Sequence, residues 1–236
     1  MKPYWSNDEH GLAIYHGDCL EVLPALEQEF DLCLTDPPYG HGERWQGGTW
    51  ATNPIYNKAL EWDAETFDSA HLLSLIARAR CAIVWGGNYF SLPVSRCWLS
   101  WEKSSRMATL ADFELAWTSF DRPSKAFVAQ RNPDGKREHP TQKPKALFEW
   151  CIKFAGEVAT VVDPFLGSGT TLVACYRLGR RGVGIEISEE YCELAAKRLE
   201  KEMAQLRLPE PQDIPQAKQA VLPGTTTCAP EKSVVS

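Results

Sequence analysis

Val161-Val162-Asp163-Pro164-Phe165-Leu166-Gly167-Ser168-Gly169-Thr170-Thr171 is the stretch on which the reading of this chain turns. The paired valines read as a short buried strand and Asp163 stands at its carboxyl end. Gly167 and Gly169 allow close backbone approach just before a helix predicted over Thr170 to Leu178, with Gly179 as its stop. In open α/β sheets ligands bind in the crevice beyond the carboxyl ends of the strands, so a ligand belongs at this turn. The loop lacks the Gly-Lys-Ser/Thr ending of a nucleoside-triphosphate loop, which disfavours phosphate binding of that kind. Further on, Gly184-Ile185-Glu186 sets a carboxylate at the end of the next strand, where it can accept from two ribose hydroxyls. A glycine turn alone also fits a plain strand-to-helix junction; turn and acidic strand end together point to a nucleoside-containing cofactor.

Far upstream, Asp36-Pro37-Pro38-Tyr39 follows Phe30 to Thr35, a buried-strand pattern, so Asp36 also emerges at a carboxyl edge of the sheet. Two prolines fix the backbone and remove two N–H donors, leaving carbonyl acceptors. An exocyclic amine on a nucleobase is a poor nucleophile because its lone pair is delocalised into the ring. Asp36 and the Pro37 carbonyl offer acceptors for both of its hydrogens. Tyr39 offers an aromatic face on which a base can stack, a contact worth ~1–3 kcal/mol. That helps offset the cost of extruding a base from a duplex, on the order of a few kcal/mol. The same tetrad also describes an ordinary turn that ends a strand.

Between and around these motifs, short apolar runs alternate with amphipathic segments, the pattern of a mostly parallel sheet covered by helices. Strands are predicted at Leu12 to Tyr15, Phe30 to Thr35, Cys81 to Trp85, Cys97 to Trp101, Phe113 to Thr118, Thr160 to Val162 and Gly182 to Ile187. Helices are predicted at Thr66 to Arg80, Pro144 to Ala155, Thr170 to Leu178 and Ser188 to Leu206. One domain over residues 1–207 is expected. The tail, 208–236, is rich in Pro, Thr, Gln and Ala without apolar periodicity and is expected to be disordered.

The 236 residues, 44% of them hydrophobic, suit a soluble protein with one substantial core. The start is polar and no later stretch is long enough to cross a bilayer, so a cytoplasmic protein with no membrane partner is expected. None of the eight cysteines has the two-residue spacing of a zinc or redox site; they read as reduced core fillers, with no metal expected. A net charge of -6 argues by itself against a nucleic-acid partner. The average hides a reversal, because from Arg122 to Lys145 seven basic residues stand against two acidic ones, Asp134 and Glu138. That run is a candidate phosphate-contacting stripe or a solvated loop.

Asp36-Pro-Pro-Tyr39, His139-Pro-Thr-Gln-Lys-Pro144 and Asp163-Pro-Phe-Leu-Gly-Ser-Gly-Thr-Thr171, in that order, resemble the β class of S-adenosylmethionine-dependent DNA amino-methyltransferases. The resemblance spans about residues 12–200, including Trp85-Gly-Gly-Asn-Tyr-Phe90 and Phe113-Glu-Leu-Ala-Trp-Thr118. It implies an α/β fold with a Rossmann-like, mostly parallel, doubly wound sheet. The motif order is circularly permuted, with the catalytic half before the cofactor half.

By the same resemblance, Asp163, Phe165, Gly167, Ser168, Gly169 and Thr170 would surround the methionine part of S-adenosylmethionine, and Glu186 its ribose. Asp18 would lie near the adenine, although it also reads as the N-cap of a helix over Leu20 to Leu26. Thr141 and Lys143 would close the pocket from the other side, while His139 fits equally an ordinary loop histidine. The catalytic set would be Asp36, Pro37, Pro38 and Tyr39. The flipped base would be methylated by direct in-line attack, without metal or catalytic cysteine. Asp at the head of the tetrad favours adenine N6, with cytosine N4 as the alternative.

Double-stranded DNA is the partner implied, with a homodimer and a companion restriction endonuclease as further possibilities. Gly40 to Lys58, with Arg44, Trp45, Trp50 and Tyr56, has the composition of a mobile lid or of a surface loop whose aromatics pack on the core. Residues 119–138 lie where this class carries its target-recognition segment, here very short. Arg122, Lys125, Arg131, Lys136 and Arg137 are its candidate DNA contacts, with Arg44 of the Gly40 to Lys58 segment as another.

Overall fold

Asp36 directly follows one strand and Asp163 ends its neighbour, and the topology of the sheet explains why. The computed structural model describes residues 1–40, 65–104, 111–130 and 143–205. Within these, β1 (Trp5–Asn7), β2 (Leu12–His16), α1 (Cys19–Ala25) and β3 (Phe30–Thr35) come first. They are followed by α2 (Ser69–Ile76), β4 (Ala79–Trp85), a 3-10 turn at Gly87–Tyr89, β5 (Trp98–Lys103), β6 (Phe113–Thr118) and β7 (Lys125–Ala129). The last part comprises α3 (Lys145–Ala155), β8 (Thr160–Asp163), α4 (Thr170–Arg177), β9 (Arg181–Glu186) and α5 (Glu189–Gln205).

The described strands form one sheet in the order β1-β2-β9-β8-β3-β4-β6-β5-β7. From β2 through β9, β8, β3 and β4 the pairing is parallel; β1 and β6 run against their neighbours. β3 and β8 are the middle of the parallel part, with Leu32 opposite Val161 and Cys33 opposite Val162. From β8 the chain returns through α4 to β9 on one side, whereas β4 adds to β3 on the other. Their carboxyl ends therefore diverge, which opens a crevice at that point of a doubly wound sheet.

Side chains alternate across the pleat, so successive residues of β3 and β8 serve opposite faces. Cys33 and Val162 join Val22, Leu23, Leu72 and Leu75 in the core beneath α1 and α2. Leu32, Leu34 and Val161, also buried, point to the other face, where α3, α4 and α5 pack on one another.

The seven expected strands form with ends shifted by at most two residues. The helix expected over Thr66 to Arg80 is shorter, for two local reasons. Asp68 caps it, its carboxylate accepting from His71 N at 2.9 Å, and β4 already begins at Ala79. Two edge strands, β1 and β7, add to the expected set, and the helix that Asp18 offers to cap over Leu20 to Leu26 forms as α1. Asp18 is the N-cap of α1, accepting from Leu20 N at 2.8 Å, and the helix tolerates Pro24 inside it. None of the seven described cysteines is in a disulfide, and six of them are buried. Among the described residues no helix is long and apolar enough to cross a membrane. The expected tail, 208–236, and the segment from Gly40 to Lys58 beyond its first residue lie outside the described residues.

Candidate active site

A cavity of about 330 Å³ lies at the divergence of β3 and β8. Asp36 and Pro38, from the end of β3, line it together with Asp163, Phe165, Gly167, Ser168 and Thr170 from the β8–α4 turn. Glu186, Asp18 and Lys143 add charged groups to its lining, and Phe67, Ile187 and Tyr191 are among its other walls. Two motifs more than a hundred residues apart in sequence thus open into one space.

The turn is shaped by hydrogen bonds to two acidic side chains. Asp163, 2% exposed, accepts from Thr35 Oγ1 at 2.7 Å, from Phe165 N at 3.1 Å and from the Thr171 hydroxyl. The bond from Thr35 ties the carboxyl ends of β3 and β8 together. Burial pushes the Asp163 carboxyl up to about 6, although these donors hold it down. Glu186 accepts from Gly167 N at 2.8 Å and Ser188 N at 2.9 Å, so the end of β9 fixes the glycine turn. Burial raises its carboxyl as well, against the pull of those amides. Gly169 takes φ +83°, and a Cβ there would lie 2.8 Å from that of Ala195, so only glycine lets α5 approach the turn. Arg198 of α5 completes the brace, donating to the carbonyl of Ser168 and to its hydroxyl at 2.7 Å.

At the other end of the cavity Asp36 is the hub of a charged cluster. One carboxylate oxygen accepts from the Tyr39 hydroxyl and the other from Lys143 Nζ. Lys143 Nζ also lies 3.4 Å from Glu114 Oε2 on β6, and Glu114 Oε1 accepts from Lys103 on β5. Burial pushes the Asp36 carboxyl above its ordinary range; Lys143 and Tyr39 pull against the rise and Glu114 adds to it. Burial opposes the Lys143 charge, but Asp36 and Glu114 outweigh it and hold the ammonium above its usual range. Tyr39 stacks on Tyr89 with ring centroids 4.9 Å apart. Gly86, at φ +66°, leaves room for that ring, since a Cβ would come within 2.0 Å of it. The Pro38 carbonyl accepts from Phe67 N at 3.3 Å.

Asp18 caps α1 and also lines the cavity. Lys143, expected against the cofactor, does line the cavity, but its ammonium rests on Asp36. Glu114, Lys103 and Tyr89 carry no role in the sequence reading. A charged residue inside the strand pattern Phe113 to Thr118 was the available signal for Glu114. Thr141, His139, Arg44, Arg131, Lys136 and Arg137 lie outside the described residues.

The basic run from Arg122 to Lys145 does not form one exposed stripe among the described residues. Arg122 is held between Phe120 and Phe154, 4.2 and 3.8 Å from the ring centroids, and donates to the Phe154 carbonyl. Lys145 pairs with Glu202 at 3.1 Å, and Lys143 is buried. Lys125 is exposed on β7, at the edge of the sheet.

The four carboxyl groups of the lining against one ammonium suit a ligand that carries positive charge. Apolar walls and an acidic strand end suit a nucleoside, and the volume is at the lower end for small-molecule sites, about 300–1,000 Å³. Residues 84–197 match the DNA methylase family, N6_N4_Mtase. The type II methyltransferase M.HpaI of Haemophilus parainfluenzae is 30% identical over 234 residues, covering 78% of this chain and 74% of that protein. The type II methyltransferase M.ScaI of Streptomyces caespitosus is 28% identical, covering 87% of this chain and 86% of its own length. Among solved structures, the M1.HpyAVI–SAM complex superposes with a TM-score of 0.53 at 24% identity, over 80% of this chain and 98% of the other. PvuII DNA methyltransferase, cytosine-N4-specific, gives 0.54 at 17% identity, over 82% and 90%. These two likenesses are of fold. Taken with the identity and coverage of M.HpaI, they are those of a DNA methyltransferase, and the chain belongs to the N6/N4 DNA methylase family.

Proposed function

We propose that this protein transfers a methyl group to the exocyclic N6 of adenine in double-stranded DNA, on a single catalytic domain over residues 1–207. The observation that carries the reading is the convergence of Asp36 with the Gly167–Thr170 turn and Glu186 on one cavity. S-adenosylmethionine, held there by the turn and by Glu186, supplies an electrophilic methyl that the amine nitrogen attacks in line. Glu186 uses both carboxylate oxygens on backbone amides yet retains lone pairs for ribose hydroxyls. Asp18, Asp163, Phe165, Ser168 and Thr170 line the remainder of that site.

Asp36 and the Pro37 carbonyl accept the two hydrogens of the target amine and raise the electron density on its nitrogen. Tyr39 and Tyr89 form an aromatic platform beside them on which the flipped base stacks. Holding the amine against the methyl contributes much of the rate, since orientation alone is worth roughly 7–11 kcal/mol.

Adenine is favoured by Asp at the head of the tetrad. Cytosine N4 is the second reading, supported by the name of PvuII DNA methyltransferase, which shares the fold. Lys125 and the basic residues of 131–137 contact DNA phosphates, and the short 119–138 segment reads a short target or relies on a second subunit. The proposal extends to a cytoplasmic protein that acts as a homodimer beside a companion restriction endonuclease. The test is transfer of labelled methyl from S-adenosylmethionine to unmethylated duplex DNA, with mass spectrometry of the nucleosides. N6-methyladenine is expected, and Asp36→Ala should lower kcat about 10²- to 10⁴-fold with cofactor binding retained. N4-methylcytosine would replace the base assignment, and no transfer despite tight cofactor binding would refute the reading.

A further inference from the structure

Asp36 stands at one end of a chain of four buried or half-buried charges. Lys143 bonds Asp36 and lies 3.4 Å from Glu114, which also takes Lys103. The two lysine side chains are each 4% exposed, and among the described residues the cluster sets two carboxylates against two ammoniums; paired charges are tolerated inside a protein. Three strands and the segment before α3 converge to build it. The proposed methyl transfer uses Asp36 only, so the remainder of the cluster needs a reason. A carboxylate that already serves an ammonium and the Tyr39 hydroxyl is a weakened acceptor for a further donor. Glu114 is a second anion within reach of the same ammonium.

We infer that Glu114 is a positioning residue for the methyl transfer: by sharing the Lys143 ammonium it draws that cation partly off Asp36 and leaves the carboxylate able to accept one hydrogen of the target amine. The inference rests on the reading of Asp36 as the acceptor for that amine. Lys103 has a supporting part, because it keeps Glu114 ionised from the side away from the site.

The groups facing Asp36 set the direction of each substitution. Among the described residues they are Tyr39 just beyond β3, Lys143 before α3, Glu114 on β6 with Lys103 of β5 behind it, and Asp163 on β8. With Glu114 neutralised, Lys143 belongs to Asp36 alone and one nearby negative charge is gone. Both changes favour the Asp36 carboxylate and make it less basic. With Lys143 removed, burial and the remaining carboxylates make it more basic. Substitutions at Glu114 and at Lys143 therefore move Asp36 in opposite directions, which a purely structural role for either residue does not require.

The experiment follows the Asp36 carboxyl carbon by ¹³C NMR titration in the cofactor-free protein, and measures kcat and KM on duplex DNA with S-adenosylmethionine. Glu114→Gln preserves the side-chain shape and a carbonyl acceptor for Lys103. It is expected to lower the pH at which Asp36 titrates. It should also reduce kcat about tenfold, as expected when one hydrogen bond to a charged acceptor is weakened, with KM and cofactor affinity within about twofold. Lys143→Met is expected to raise the titration point, and Glu114→Asp to recover part of the lost kcat. An unmoved or raised titration point in Glu114→Gln, or a loss of kcat only in step with a fall in Tm and a rise in KM, overturns the inference. If Glu114→Gln does not fold, Glu114→Asp must lower the titration point by itself, because it withdraws the carboxylate from Lys143. Absence of methyl transfer by the wild-type protein would refute the functional reading, while the titrations would still decide whether Glu114 shares the cation.

Discussion

Asp163 shows how a motif residue and its neighbours divide the work at the residue scale. The Asp-Pro-Phe-Leu-Gly-Ser-Gly run marks it in the sequence, but its partners, Thr35 on β3 and Thr171 on α4, are set by the fold. With its carboxyl pushed up to about 6 from the ordinary 3.8, the native protein takes up a proton as pH falls through about 6, before the unfolded chain does. The contribution of this group to stability is thus complete below the unfolded value and is lost as pH rises through about 6. Denaturant unfolding of wild type and Asp163→Asn across pH 3.8–6 should therefore show wild type gaining on the variant toward the acid end. A constant difference would mean that Asp163 remains ionised throughout. Lys143 carries the same lesson. Its position in His139-Pro-Thr-Gln-Lys-Pro144 suggested the cofactor, whereas its ammonium rests on Asp36, a residue more than a hundred positions away.

At the scale of elements, the junction of β3 and β8 is held across its open end by the Thr35–Asp163 hydrogen bond. Thr35 is fully buried, so Thr35→Val removes a donor to a buried carboxyl group and should destabilise the fold by about 1–3 kcal/mol. A shift in the urea midpoint with an unchanged m-value would measure it, and no shift would show that Asp163 finds another donor. The central strands were legible because both faces of a parallel sheet are covered, which writes near-continuous apolar runs such as Leu32 to Leu34 and Val161-Val162. The edges were not. β7, Lys125-Ala-Phe-Val-Ala129, is mostly exposed and shows no clean alternation, and its partner β5 lies well upstream in sequence. α1, seven residues long with a proline inside, was legible through its Asp18 cap rather than through its periodicity.

For the whole molecule, the cavity lies between elements that contribute to both halves of the fold, so a ligand that fills it should stabilise the native state as a unit. At a concentration of S-adenosylmethionine a hundredfold above its Kd the gain is about 2.7 kcal/mol, a rise in Tm of roughly 5–10 °C for a domain of this size. A thermal melt with and without the cofactor checks it, and an unmoved Tm at saturation would argue against the site. The net charge of -6 and the basic run show the limits of composition: Lys143 and Lys145 face acidic partners inside the fold, and Arg122 is packed between two phenylalanines. Local pattern sufficed for the alternating α/β architecture, the glycine turn with its acidic strand end, and the Asp-Pro-Pro-Tyr turn that ends β3, because each is encoded by neighbours in sequence. Tertiary structure alone decided that β3 and β8 lie side by side, that Lys143 is shared by Asp36 and Glu114, and that Tyr39 stacks on Tyr89. Those contacts join residues far apart along the chain, whose pairing depends on strand order and burial rather than on local propensity.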